Sequence, residues 1–125
     1  MINSISVFGL GKLGCSMAAV FADKGFQVIG FDVDPLKVAA VNSARPPVYE
    51  YGLADLILRN RSRLTATSNA DEAVMRSDIS FIVVPTPSRQ DGTFETRYAV
   101  QASEAIAKSL KTKKDYHTIV DRKST

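Results

Sequence analysis

Apolar and polar positions along this chain switch repeatedly between two periods. Short runs dense in apolar and β-favouring residues, at 5–8, 27–31, 64–67, 79–84 and 117–120, read as strands. The run Ile79-Ser80-Phe81-Ile82-Val83-Val84 is the most strand-like, and its near-continuous apolarity suits a central parallel strand. Between these runs the apolar residues recur at helical spacing. A first helix spans about 12–24, with Leu13, Met17, Ala18, Val20 and Phe21 as its stripe and Gly25 as its stop. A second begins at Asp34-Pro35, with Asp34 as N-cap and Pro35 in the first turn, where a missing N–H costs nothing. Val38, Ala39 and Val41 supply its buried side, and Arg45-Pro46-Pro47 breaks it. Short helices follow at 53–59 and at 69–75, the latter capped by Ser68 or Asn69, and a longer one at about 96–110 buries Ala99, Ala102, Ile106 and Leu110. Pro85-Thr86-Pro87 and Asp91-Gly92 mark the loop between the fourth strand and that helix.

Strands alternating with helices imply a doubly wound α/β fold: a parallel sheet with right-handed crossovers. Five strands make a Rossmann unit, with expected order 3-2-1-4-5. Ligands on such sheets lie at the carboxyl ends of the strands, beside the switch point between the first and fourth. Gly9, Asp32 and the Val84-Pro85-Thr86 segment all fall there.

The chemistry expected at that crevice follows from the motif that begins it. Gly9-Leu10-Gly11-Lys12-Leu13-Gly14 links the first strand to the first helix, and Asp32 follows Gly11 by 21 residues. This spacing points to a dinucleotide site. Gly9 permits the tight turn, Gly11 lets the backbone approach a pyrophosphate, and Gly14 lets the helix pack close. The helix aims its free N–H groups, including those of Lys12 and Leu13, at the phosphates. Asp32 is expected to accept hydrogen bonds from the adenosine ribose hydroxyls. It should repel a 2′-phosphate, which predicts NAD over NADP and a relaxed preference when Asp32 becomes Ala or Asn. Lys37, one turn into the second helix, is placed to reach the same ribose or its phosphate. Thr86 offers a hydroxyl on a loop stiffened by its flanking prolines.

Composition narrows the classes. The 125 residues suffice for one domain, and 45% hydrophobic content is ordinary for a globular protein. No transmembrane span or signal peptide is visible. A net charge of +3, with lysines 108, 111, 113 and 114 read as a solvated helix end, makes a poor nucleic-acid field. Cys15 is the single cysteine, which excludes an internal disulfide and fits a reducing, cytoplasmic setting. It is read as space-filling beside Gly14 rather than as a nucleophile, and His117, the single histidine, as a surface residue. No Cys/His spacing suggests a metal.

The residues also resemble a family, the nucleotide-sugar 6-dehydrogenases of the UDP-glucose/GDP-mannose type. The resemblance covers essentially the whole chain: Val7 through Gly14, Gly30-Phe31-Asp32-Val33-Asp34 with Lys37, Pro47-Val48-Tyr49-Glu50-Tyr51-Gly52-Leu53, Leu64-Thr65-Ala66-Thr67, Ser77 through Pro87, and Lys123-Ser124-Thr125. The Val-Pro-Thr-Pro and Glu-x-Gly-Leu segments are its specific parts. It implies an NAD-dependent enzyme that oxidises C6 of a UDP- or GDP-linked hexose to a carboxylate with two NAD, through a cysteine thioester. Gly9, Gly11, Gly14, Asp32, Lys37, Val84, Pro85 and Thr86 then stand as cofactor residues, and Thr125 resembles the family threonine near the nicotinamide. Tyr51 replaces the usual proline, which loosens that turn, and Asp121-Arg122 departs from the usual apolar strand in the manner of a bulge. The resemblance places the catalytic cysteine, its lysine and the sugar-nucleotide domain beyond Thr125. Residues 1–125 are therefore expected to be an NAD-binding domain without turnover of its own, whose exposed sheet edge favours weak self-association. The competing readings are a stand-alone nucleotide-sensing module and the first domain of a β-hydroxyacid-type dehydrogenase.

Overall fold

The computed structural model describes residues 3–84 and 118–123. The loop 85–87, the turn at Asp91-Gly92, the helix expected at 96–110, the lysine cluster, His117, Ser124 and Thr125 lie outside them. Among the described residues the elements run β1 (Ser4–Phe8), α1 (Lys12–Asp23), β2 (Gln27–Phe31), α2 (Pro35–Asn42), α3 (Leu53–Arg59), β3 (Leu64–Thr67), α4 (Ala70–Met75), β4 (Ile79–Val84) and β5 (Thr118–Lys123). The strands form one sheet in the order β3-β2-β1-β4-β5, and every pairing is parallel. This is the Rossmann topology anticipated above.

Each strand sends alternate residues to opposite layers. Ile5, Val7, Val28, Leu64, Ala66 and Val83 pack under α1, α2 and α3, together with Cys15, Ala18, Ala22, Val41, Leu53 and Ile57. Phe8, Ile29 and Ile82 pack under α4 with Ala73 and Val74. Inside the second layer Ser6, Ser77 and Ser80 form a buried hydroxyl cluster. Ser77 Oγ donates to the Ala73 carbonyl at 2.8 Å and lies 3.0 Å from Ser6 Oγ, tying the end of α4 to the central strands.

Several expectations are refined. The buried face of α1 is built from Gly14, Cys15, Ala18, Ala19 and Ala22, whereas Val20 is 43% exposed and Leu13, Met17 and Phe21 flank the core. The helix lies too close to the sheet for large side chains beneath it. In α2 only Val41 is fully buried; Val38 packs partly and Ala39 faces solvent. Asn69, not Ser68, caps α4: its Oδ1 accepts from Glu72 N. At Asp121-Arg122 there is no bulge. The register Ile82↔Asp121, Val83↔Arg122, Val84↔Lys123 continues unbroken, so β5 extends to Lys123. The Tyr51-Gly52 turn closes without proline, through Leu53 N–H to the Glu50 carbonyl at 3.0 Å, and Gly52 takes the left-handed φ of +81° that starts α3.

Candidate functional site

The parallel strands bring Gly9, Asp32 and Val84 to the carboxyl end of the sheet, where β1 lies between β2 and β4. Gly9 sits at φ +113°, and its N–H donates to the Phe31 carbonyl at 2.8 Å. A Cβ on Gly9 would collide with the Val83 carbonyl oxygen, and one on Gly14 with the Gly9 carbonyl oxygen. These two glycines are required by the fold itself. Gly11 is different. Its φ of −76° suits any residue, and a Cβ there would meet nothing within 4 Å among the described residues.

That space lies at the start of α1, whose first turn meets no capping side chain among the described residues. Asp34 caps α2 through Leu36 N, and Asn69 caps α4; among the described residues no side chain caps α1 or α3, and α1, unlike α3 with Asp55, has no acidic residue in its first turn. The first turn of a helix has N–H groups without intrahelical partners and carries the positive end of the dipole. An anion would satisfy both, and Gly11 leaves it room.

Asp32 borders the same turn and is 4% exposed, so it does not merely solvate a strand end. Its Oδ2 accepts from Leu10 N at 2.8 Å and its Oδ1 from Asp34 N at 2.9 Å. Lys37 is half-buried on the first turn of α2 and makes no ion pair among the described residues. Burial pushes the Cys15 thiol up to about 11, and the Lys37 charge opposes the rise. Cys15 is fully buried, as a packing residue should be. Lys12 keeps its amine exposed, 3.4 Å from Glu50 Oε1, and so ties the Glu-Tyr-Gly-Leu turn to the start of α1.

The structure thus gathers Gly9, Gly11, Lys12, Leu13, Gly14 and Asp32 about one turn, with Lys37 beside it and the end of β4 on the adjoining strand. Pro85, Thr86 and Thr125 fall outside the described residues. Two contributors escape a reading of the motif alone. Leu10 is fully buried, and its side chain fills the space that a Cβ on Gly30 would enter, 2.6 Å from Leu10 Cδ2. A glycine inside a strand often marks such a close approach. Glu50 was visible only as part of the Glu-x-Gly-Leu segment, with no hint of its partner.

Residues 3–125 match the family model described as the UDP-glucose/GDP-mannose dehydrogenase family, NAD binding domain. The chain belongs to that family. NAD is accordingly the cofactor of this domain, and the β-hydroxyacid and nucleotide-sensor readings are not favoured. Similar proteins include the GDP-mannose 6-dehydrogenase of Pseudomonas aeruginosa, 37% identical over 120 residues that make up 94% of this chain and 28% of that protein. The UDP-glucose 6-dehydrogenase of Haloferax volcanii is 35% identical over 119 residues, 94% of this chain and 27% of that protein. Among solved structures, a UDP-glucose dehydrogenase from the hyperthermophilic archaeon Pyrobaculum islandicum superposes with a TM-score of 0.90 at 36% identity. That match covers 100% of this chain and 29% of the other. The chain therefore spans a little over a quarter of the length of these family members. Among the described residues no helix is long and apolar enough to cross a membrane.

Proposed function

We propose that residues 1–125 form one NAD-binding domain that serves a longer nucleotide-sugar 6-dehydrogenase. The observation that carries this is the space at Gly11, over a helix end uncapped among the described residues, in a turn whose other two glycines are explained by packing. The pyrophosphate would lie over Gly11 and take the N–H groups of Lys12 and Leu13. The free oxygen lone pairs of Asp32 would accept the ribose hydroxyls, with Lys37 alongside. Val84, Pro85, Thr86 and Thr125 would complete the site toward the nicotinamide.

The substrate of the longer protein would be a UDP- or GDP-linked hexose in the cytoplasm, oxidised at C6 from alcohol to carboxylate. Two hydrides would leave, one to each of two NAD, and one water would supply the second carboxylate oxygen, with three protons released. The names of the similar proteins support both nucleotides and do not choose between them.

Competitive titration of NAD and NADP tests the cofactor half of this reading. A buried carboxylate at the ribose predicts NAD bound at least about tenfold more tightly, near 1.4 kcal/mol. Equal affinity, or a preference for NADP, would remove Asp32 from the ribose site.

A further inference from the structure

The glycine turn is fastened to β2 at three points. Gly9 N–H donates to the Phe31 carbonyl, the Leu10 side chain lies buried against Gly30, and Leu10 N–H donates to Asp32 Oδ2. The last is the only one of the three made by a polar side chain. The other Asp32 oxygen simultaneously accepts from Asp34 N, which fixes the carboxylate in place. We infer that Asp32 is a positioning residue for the phosphate-binding turn as well as a ribose acceptor, so that one carboxylate couples pyrophosphate binding to ribose recognition. This rests on the reading of the turn as the phosphate site.

The consequence changes what a substitution does. Both carboxylate oxygens of Asp32 accept from backbone N–H groups. Asparagine has one oxygen, and its NH2 would face either the Leu10 or the Asp34 donor. The amide then either abandons the buried Leu10 donor or loses the partly buried Asp34 donor that anchors the side chain beneath the turn. Asp32→Asn would therefore loosen the turn that cradles the phosphates instead of simply admitting NADP. Charge alone argues for the opposite sign, since removing an anion beside a bound pyrophosphate should strengthen binding.

Inorganic pyrophosphate separates the two effects, because it has no ribose. Wild-type protein and the D32N variant would be titrated with pyrophosphate and with NAD, and amide exchange at Leu10 would be followed without ligand. In the wild type, the Leu10 amide is expected to be protected although it lies in a turn. In D32N its exchange should quicken about tenfold or more, while Val7 in β1 keeps its protection. Pyrophosphate affinity should fall about threefold or more, against the direction that charge removal predicts. An unprotected Leu10 amide in the wild type would overturn the inference even if D32N failed to fold. So would a D32N variant that holds pyrophosphate as tightly as the wild type or more so. Failure of the wild type to bind NAD, with Leu10 protection still dependent on Asp32, would instead count against the proposed function.

Discussion

Gly9, Gly11 and Gly14 share one motif but answer to different forces. A side chain at Gly9 or Gly14 would strike a backbone carbonyl, which cannot move aside cheaply. At Gly11 the backbone is ordinary and the space is open. Gly14→Ala is therefore expected to destabilise by about 3 kcal/mol or more, at the upper end of overpacking costs. Gly11→Ala should change stability by no more than about 0.5 kcal/mol, since lost chain entropy in the unfolded state offsets a slightly poorer cap. Its NAD affinity should nevertheless fall about tenfold or more. Thermal melts paired with NAD titration check both; a G11A protein that binds NAD normally would show that the open space is not the phosphate site. The tight turn at Gly9 and the close helix packing at Gly14 were legible in the sequence because spacing encodes them. The hydrogen bond from Leu10 N–H to Asp32 and the Lys12–Glu50 ion pair were not, because each joins residues distant in sequence that only the fold brings together.

At the scale of elements, the helix ends and the outer strand show how the scaffold is secured. Both α1 and α2 end in the same reversal, in which Phe26 N bonds to Phe21 O and Arg45 N to Ala40 O. The first has Gly25 at the left-handed position and was readable. The second places Ala44 there at φ +60°, and no glycine signalled it, so α2 ends earlier than its prolines suggested. Beside it, the Asn42 side chain accepts from Ala66 N at 2.8 Å and donates to the Ala66 carbonyl at 2.9 Å, occupying the outer edge of β3. Asn42→Ala should cost about 1–3 kcal/mol and raise self-association, measured by denaturation and sedimentation. An unchanged variant would mean that water serves the edge equally well. Two carboxylates secure other helix ends. Asn60 and then Arg59 hold Asp23 below its ordinary value of 3.8, and Thr67 and then Arg76 hold Glu72 below its ordinary value of 4.5. Their contribution is fully present above those ordinary values and is lost as pH falls through the lowered ones, where the unfolded chain has already taken up protons. The double variant Asp23→Asn with Glu72→Gln should therefore lose less stability than the wild type between neutral pH and about pH 3. Identical acid profiles would contradict that assignment.

Across the whole molecule, five parallel strands run side by side, and the glycine turn follows the central one, β1, at the start of a helix that no side chain caps among the described residues. The strand order was legible because alternating periods leave few topologies open. The small-residue face of α1 was not, since hydrophobicity favours Leu, Met and Phe, whereas close packing against the sheet admits only Gly, Ala and Cys. Family membership names the cofactor, and the turn at Gly11 is the place we propose for its phosphates. Titration of the protein with NAD, followed residue by residue through its backbone amides, joins the two most directly. The account predicts the largest shifts at Gly11, Lys12 and Leu13 and smaller ones at Leu10 and Asp34, with the far ends of the strands silent. Shifts confined to another surface, or none at saturating NAD, would contradict it.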